Sequence, residues 1–502
     1  MLIHSTSLRR AAFGIAIIAT AAPRLASAQQ DSTHHSMPGM AGGRAGGTRP
    51  PPVNRDTVAK SSAMKGMAMR VADPLGVSME RMGSGTTWVP DAAPIPSLYF
   101  AAPGLWDVML HGFAFAQYDQ QSGPRGGQQL GSLSWLMAMA SHELAGGRFQ
   151  ARTMLSLDDF GVTPRGYPLL LQPGEAYNGQ VLYDRQHPHD VLMELSTLYE
   201  RPVTQSVGVM LYLAPSGEPA LGPAAFMHRP SATDNPTAPL GHSRQDETHV
   251  AFGVVTVGLF THTLKLEGSL FNGRDPDQNR IGIDPIRLDS YSGRLTYNPT
   301  AAWSFTTGYG YAKSPDAGDP SVSLRRLTAS AIYASTLGRD GQWSASAVYG
   351  ADKHAGDPAF SRAMTLESEV LLDRHNTVFT RAEYVQNTAA ELGLDEPQFG
   401  LPAEYSFHVT ALSLGYIRDV VQYGPGTLGV GAMGTVNLVP SLLSPAYGSR
   451  SPRGAMVFLR LRPSRSAMQS SLTSNQPPLR LETTCQVATA SAPAALLISL
   501  VS

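Results

Sequence analysis

From Leu105 onward the chain runs in segments of roughly 10 to 14 residues that alternate apolar and polar side chains, and these segments are joined in turn by short turns and longer loops. In Leu264-Lys265-Leu266-Glu267-Gly268-Ser269-Leu270, the residues Lys265, Glu267 and Ser269 share one face of a strand, and Leu264, Leu266 and Leu270 share the other. Trp303, Phe305, Thr307, Tyr309 and Tyr311 alternate with Ser304, Thr306, Gly308 and Gly310 in the same way. One such strand suits a soluble sandwich as well as a membrane barrel. The connections separate the two. The pattern predicts sixteen strands, at 106–117, 131–143, 147–157, 190–200, 205–214, 248–260, 263–272, 286–298, 302–312, 323–336, 342–351, 361–372, 377–387, 407–419, 426–437 and 453–463. Every second connection is short, as at Ala145-Gly146 and Thr261-His262, whereas 158–189 and 215–247 are long. Short turns at one end and loops at the other mark a transmembrane antiparallel β-barrel. A sandwich has no reason to sort its connections.

Composition agrees. Only 15% of residues are charged, against about 25% in an average soluble domain. Beyond the first two dozen residues there is no apolar run of the length a membrane helix needs. A formal net charge of -1 leaves no basic field for nucleic acid, and the single cysteine, Cys485, excludes disulfides within the chain and Cys-based zinc clusters. Arg9 and Arg10, the apolar stretch Ala11 to Ala22 and Ala26-Ser27-Ala28 form a signal peptide over 1–28. The expected destination is the outer membrane of a Gram-negative-type cell, with its lipid as partner. Residues 29–104 hold a Pro50-Pro51-Pro52 run, Gly-rich stretches and few aromatics, so they are expected to be a disordered periplasmic leader. Residues 464–502, after the last strand, form a tail without an aromatic residue and of unknown role.

Closing a sheet pairs every backbone group, as hydrocarbon demands. Sixteen strands leave an aqueous lumen unless something plugs it. The alternation points Arg152, Glu194, Lys265, Glu267, Arg294, Arg326, Glu367, Glu369, Arg381, Glu383, Arg460 and Arg462 inward. These charges either line a channel or pair across the interior.

Histidine carries the chemical signal. His187-Pro188-His189-Asp190 ends the first long loop, and the second contains His228 and His242. Imidazole and carboxylate are the usual nitrogen and oxygen ligands of divalent transition metals, and an extended His-x-His can turn both rings to one ion. In the leader, His34, His35, Met37 and Met40 form one cluster and Met64, Met67 and Met69 another. Thioether and imidazole together suit copper, above all Cu(I). A hydrogen-bonded plug and an idle linker are the plainer readings of the two groups. No Gly-x-Ser-x-Gly elbow or His-Glu-x-x-His appears, so no enzyme and no required cofactor is expected. Asp158, Asp159, His187 and Asp190 match no protease motif.

Asp184-Arg185-Gln186-His187-Pro188-His189-Asp190, Pro223-Ala224-Ala225-Phe226-Met227-His228-Arg229-Pro230-Ser231-Ala232 and the stretch Asn235 to His242 resemble an uncharacterised family of bacterial outer-membrane β-barrel proteins, over most of 86–463. That resemblance implies a barrel and no particular activity. The layout of signal peptide, Met/His-rich leader and barrel is similar to that of the copper-resistance outer-membrane protein B family. This barrel is longer, and its leader has fewer Met-x-x-Met-Asp-His-type repeats. Three functions follow as expectations: a channel or export component that handles copper or another transition metal, a diffusion porin for small polar solutes, and a surface enzyme or adhesion scaffold.

Overall fold

The computed structural model describes residues 71–92, 95–315, 320–395 and 400–465. The leader residues His34, His35, Met37, Met40, Met64, Met67 and Met69 lie outside the described residues, as does the tail from residue 466.

The strands are β1 (Ser97–Ala102), β2 (Trp106–Gln121), β3 (Gly127–Leu144), β4 (Gly147–Ser156), β5 (Tyr167–Tyr177), β6 (Gln180–Gln186), β7 (Leu192–Pro202), β8 (Gly208–Gly217) and β9 (Ala251–Phe260). They continue as β10 (Leu264–Phe271), β11 (Ser290–Thr300), β12 (Trp303–Lys313), β13 (Ser323–Leu337), β14 (Gly341–His354), β15 (Ser361–Leu371), β16 (Asn376–Thr388), β17 (Ser406–Tyr423), β18 (Gly426–Leu438) and β19 (Arg453–Pro463). Sixteen of them, β2 to β4 and β7 to β19, form one closed antiparallel ring, each overlapping a strand expected from the sequence. β19 closes the ring on β2, with Gly454 opposite Gln121 and Leu461 opposite Ala114. Short β1 pairs with the remaining stretch of β2, Ser97 opposite His111 and Ala102 opposite Trp106. β1 and β19 thus share one slot beside β2.

The period-2 pattern sets the two surfaces. In β10, Leu266 is 56% exposed and its neighbour Glu267 is 3% exposed. A leucine on the outside of a ring belongs against hydrocarbon, and a buried glutamate needs partners inside. Aromatic side chains collect on the outer face beside the short-turn end: Trp303 stacks on Phe305 at 5.3 Å and meets Tyr333 at 4.8 Å, and Tyr333 meets Trp343 at 5.2 Å. Rings at this level anchor a barrel at a membrane interface. Turns such as 145–146, 301–302 and 424–425 lie at that end, and the long connections 157–191 and 218–250 lie at the other.

The interior is filled. Residues 71–92 thread the short-turn end, so the disorder expected for the whole of 29–104 does not extend to them. Their composition cannot build a core of their own, but the barrel supplies the second wall. Val71 N donates to Asp107 at 2.8 Å, Asn298 donates to the Val89 carbonyl at 3.1 Å and Ser304 to the Trp88 carbonyl at 3.0 Å. Lys265 reaches the Thr86 carbonyl and lies 4.6 Å from the centre of the Trp88 ring. The connection 218–250 folds inward, and residues 218–242 are buried throughout. β5 and β6 form a hairpin within 157–191, turning at Asn178 (φ 51°) and Gly179 (φ 73°). Two successive residues of positive φ give the turn whose twist suits a two-residue hairpin, and Asn-Gly adopts it most readily.

Candidate functional site

The plug is tied to the barrel wall through the inward charges. Arg229 is central: Nε donates to Glu367 Oε2 at 2.8 Å, Nη2 to Glu367 Oε1 at 2.9 Å, and Nη1 to Asp246 at 2.6 Å. Arg381 shares Glu367 at 3.2 Å and donates to the Thr237 carbonyl at 2.8 Å. Arg326 holds Asp352 at 2.6 Å and Glu247 at 2.9 Å. Glu383 accepts from Leu240 N at 2.6 Å, and Glu369 from Asp234 N at 3.2 Å. Arg460 pairs with Asp234 and Asp419, and Arg462 with Asp419 at 3.1 Å. On the opposite wall Arg152 lies 3.4 Å from Glu194 and donates to the carbonyls of Gly83 and Gly85. Arg294 joins Glu267 at 3.1 Å to Glu218 at 3.4 Å, with Thr86 at 2.7 Å. All twelve residues expected to point inward are buried. Their partners are one another, the plug, and the wall residues Asp352 and Asp419.

Burying so many charges is tolerable only because they are ion-paired or, like Glu383, hydrogen-bonded to backbone. The surroundings show in the loop residues. Salt-bridged Arg229 and the imidazole of His242 outweigh burial and hold the Asp246 carboxyl far below the usual range. Burial pushes Glu218 up to about 8 against the pull of Arg294. Burial likewise raises Asp190 to about 7, opposed by Arg280 at 3.3 Å.

The expected metal ligands separate into two places. In the first, His187 Nε2 lies 3.1 Å from Glu175, His189 Nδ1 2.7 Å from Asp158 and His242 Nδ1 2.7 Å from Asp246. His249, at the foot of the same loop, places Nδ1 2.7 Å from the Asp246 carbonyl oxygen. Its ring centre is 5.3 Å from that of His189 and 5.1 Å from that of His242. The two imidazoles of His187-Pro188-His189 take different carboxylates, so the structure does not aim them together at one ion. Among the described residues no three His, Cys, Asp or Glu side chains form a ready-made metal site. The rings form a row instead, and buried Nε2 of His189 and His249 have no hydrogen-bond partner.

The second place holds His228 and, unexpectedly, His111 on β2. Their ring centres are 5.5 Å apart, with Trp135 4.5 Å from His228 and 5.3 Å from His111. Both ring nitrogens of both histidines are buried without a hydrogen-bond partner. A buried polar atom left so costs about 1–3 kcal/mol. The alternation of β2 could have identified His111, since it stands between Met109 and Phe113 in the inward series. His249 falls within the strand expected at 248–260, but the structure puts it in a single turn before β9, so strand alternation does not locate it.

No protein-family model and no curated protein matches the sequence. Solved structures do. OmpT, an outer membrane protein of Vibrio cholerae, is 8% identical with a TM-score of 0.41, over 71% of this chain and 99% of that one. OmpF of Salmonella typhi is 9% identical with a TM-score of 0.43, over 71% and 97%. An anion-selective porin from Comamonas acidovorans is 13% identical with a TM-score of 0.39, over 71% and 99%. The likeness is one of barrel architecture alone.

Proposed function

We propose that this protein is an outer-membrane channel or export component, held closed by its own chain, that handles a transition metal, copper before others. The observation that carries the closed channel is the course of 218–250, which crosses the barrel interior and is latched to the wall at Glu367, Glu369, Arg381 and Glu383. Ion pairs at these points can be loosened by competing charge or by a partner. The row of His187, His189, His249 and His242 supports the metal. Each of the four sets one ring nitrogen against a carboxylate or carbonyl, the arrangement that orients imidazole ligands.

Planar-bilayer conductance tests the reading. Deletion of 223–242 is expected to raise conductance several-fold, and micromolar Cu(II) or Zn(II) is expected to reduce currents less once His187 and His189 are replaced by alanine. Unchanged conductance after the deletion would remove the closed channel. A freely conducting wild-type barrel would favour a diffusion porin for small polar solutes.

A further inference from the structure

We infer that His111 and His228, with the thioethers of Met137 and Met154 beside them, form a binding site for one soft monovalent d10 cation, Cu(I) or its analogue Ag(I). The inference rests on the metal-handling reading above but on different residues.

Four observations converge. First, His111 and His228 are 1% and 0% exposed, and all four of their ring nitrogens lack a partner within a plug whose charged groups are otherwise tied to one another. Second, the rings are spaced for sharing. With metal–nitrogen bonds of about 2 Å, two imidazoles on one ion at a trigonal or tetrahedral angle have ring centres roughly 5–5.5 Å apart. The separation here is 5.5 Å.

Third, sulfur lies alongside. Met137 on β3 is the register partner of His111, and Met154 on β4 is the register partner of Met137. Side chains opposite one another on one face of an antiparallel pair are neighbours. Met109 and Met139, the next inward pair on β2 and β3, extend the same patch, and all four methionines are buried. Methionine is an ordinary filler of cores, but this stretch of inner wall faces two unbonded imidazoles.

Fourth, charge selects the ion. No carboxylate belongs to the cluster of His111, His228, Trp135, Met137 and Met154, and Arg152, whose Nη2 lies 4.0 Å from Met137 Sδ, adds positive charge that Glu194 at 3.4 Å offsets. A divalent cation here would be buried with nothing to balance it, a large penalty in a low-dielectric interior. A monovalent soft ion carries half the charge and favours thioether and imidazole ligands. The site also lies just beyond the segment 71–92 at the short-turn end, and the Met/His sequence at 34–69 immediately precedes that segment.

The test uses the full-length protein in detergent, titrated with Ag(I) while tryptophan fluorescence and binding heat are followed. Trp135 touches both rings, so saturable quenching is expected, with about one equivalent when the five leader methionines are leucine, and in that background Trp135→Phe should abolish the quenching but keep the heat. His228→Gln and His111→Gln should each weaken the site by at least about tenfold, with heat-modified migration in SDS reporting that the barrel is folded. His228→Gln alone, in the plug rather than the wall, serves if His111→Gln fails to fold. Replacing Met37, Met40, Met64, Met67 and Met69 by leucine should leave the quenching intact. The site is refuted if folded His228→Gln binds and quenches as the wild type does, or if Zn(II) quenches as strongly as Ag(I). Because no conductance is measured, failure here leaves the closed-channel reading standing, and failure of that reading leaves this site standing.

Discussion

Arg229 and Glu367 lie 138 residues apart in sequence and meet in a two-pronged ion pair, Nε to Oε2 at 2.8 Å and Nη2 to Oε1 at 2.9 Å. One belongs to the loop between β8 and β9, the other to the wall strand β15. Their side chains are 0% and 1% exposed. The pair is a bidentate link between plug and barrel, and Asp246 and Arg381 extend it on either side.

Breaking this link on one side should loosen the plug. Arg229→Ala takes from Asp246 and Glu367 the guanidinium they share, and Glu367→Ala takes from Arg229 and Arg381 the carboxylate they share, each at a cost of up to about 3–5 kcal/mol. The double replacement Arg229→Met/Glu367→Met removes both charges and should recover part of that loss, the remainder being the contacts that Asp246 and Arg381 lose. Thermal unfolding in detergent and single-channel conductance measure the two effects. If the single and double variants are equally destabilised, the pair is not the latch.

Glu218 should make the plug less secure in alkali. Burial raises its carboxyl to about 8, against the Arg294 guanidinium and with Glu194 and Asp246 nearby. A folded-state value above the unfolded one means that the folded form prefers the proton. Its contribution is therefore fully present below the ordinary carboxyl range and is lost as pH rises through about 8. The slope is at most about 1.4 kcal/mol per pH unit. Glu218→Gln should remove this dependence, so the variant gains on the wild type between pH 5 and pH 9 in thermal unfolding. Parallel pH profiles for the two proteins would count against the protonated carboxyl.

The hairpin turn gives a conformational test. A Cβ added at Gly179 meets no atom within 4 Å, so Gly179→Val is opposed by backbone conformation alone. The cost is about 1–2 kcal/mol. Hydrogen exchange should quicken across 167–186 while the barrel melts as before. Unchanged exchange would mean that the turn does not limit the hairpin.

A peptide spanning 29–70 is expected to compete with a Cu(I) chelator through Met37, Met40, Met64, Met67, Met69, His34 and His35, and replacing the methionines by leucine should abolish the competition. An affinity indifferent to that change would make the leader a tether only.

The sequence by itself determined the barrel. Alternation in a strand is a local property, so Leu264, Leu266 and Leu270 against Lys265, Glu267 and Ser269 state which face meets lipid before any partner strand is known. Connection lengths then sort the two ends. Asn178-Gly179 was also legible as a hairpin turn, although the surrounding prolines and polar residues made 158–189 look like plain loop. The fate of the interior was decided only by the tertiary structure. Residues 71–92 have too little apolar surface to order themselves and do so because the closed ring offers walls and donors such as Lys265 and Asn298. Whether Arg229 finds Glu367, or His228 comes within 5.5 Å of His111, depends on where a 33-residue loop lands inside the ring. No periodicity encodes that, because loop placement is set by contacts between residues more than a hundred positions apart.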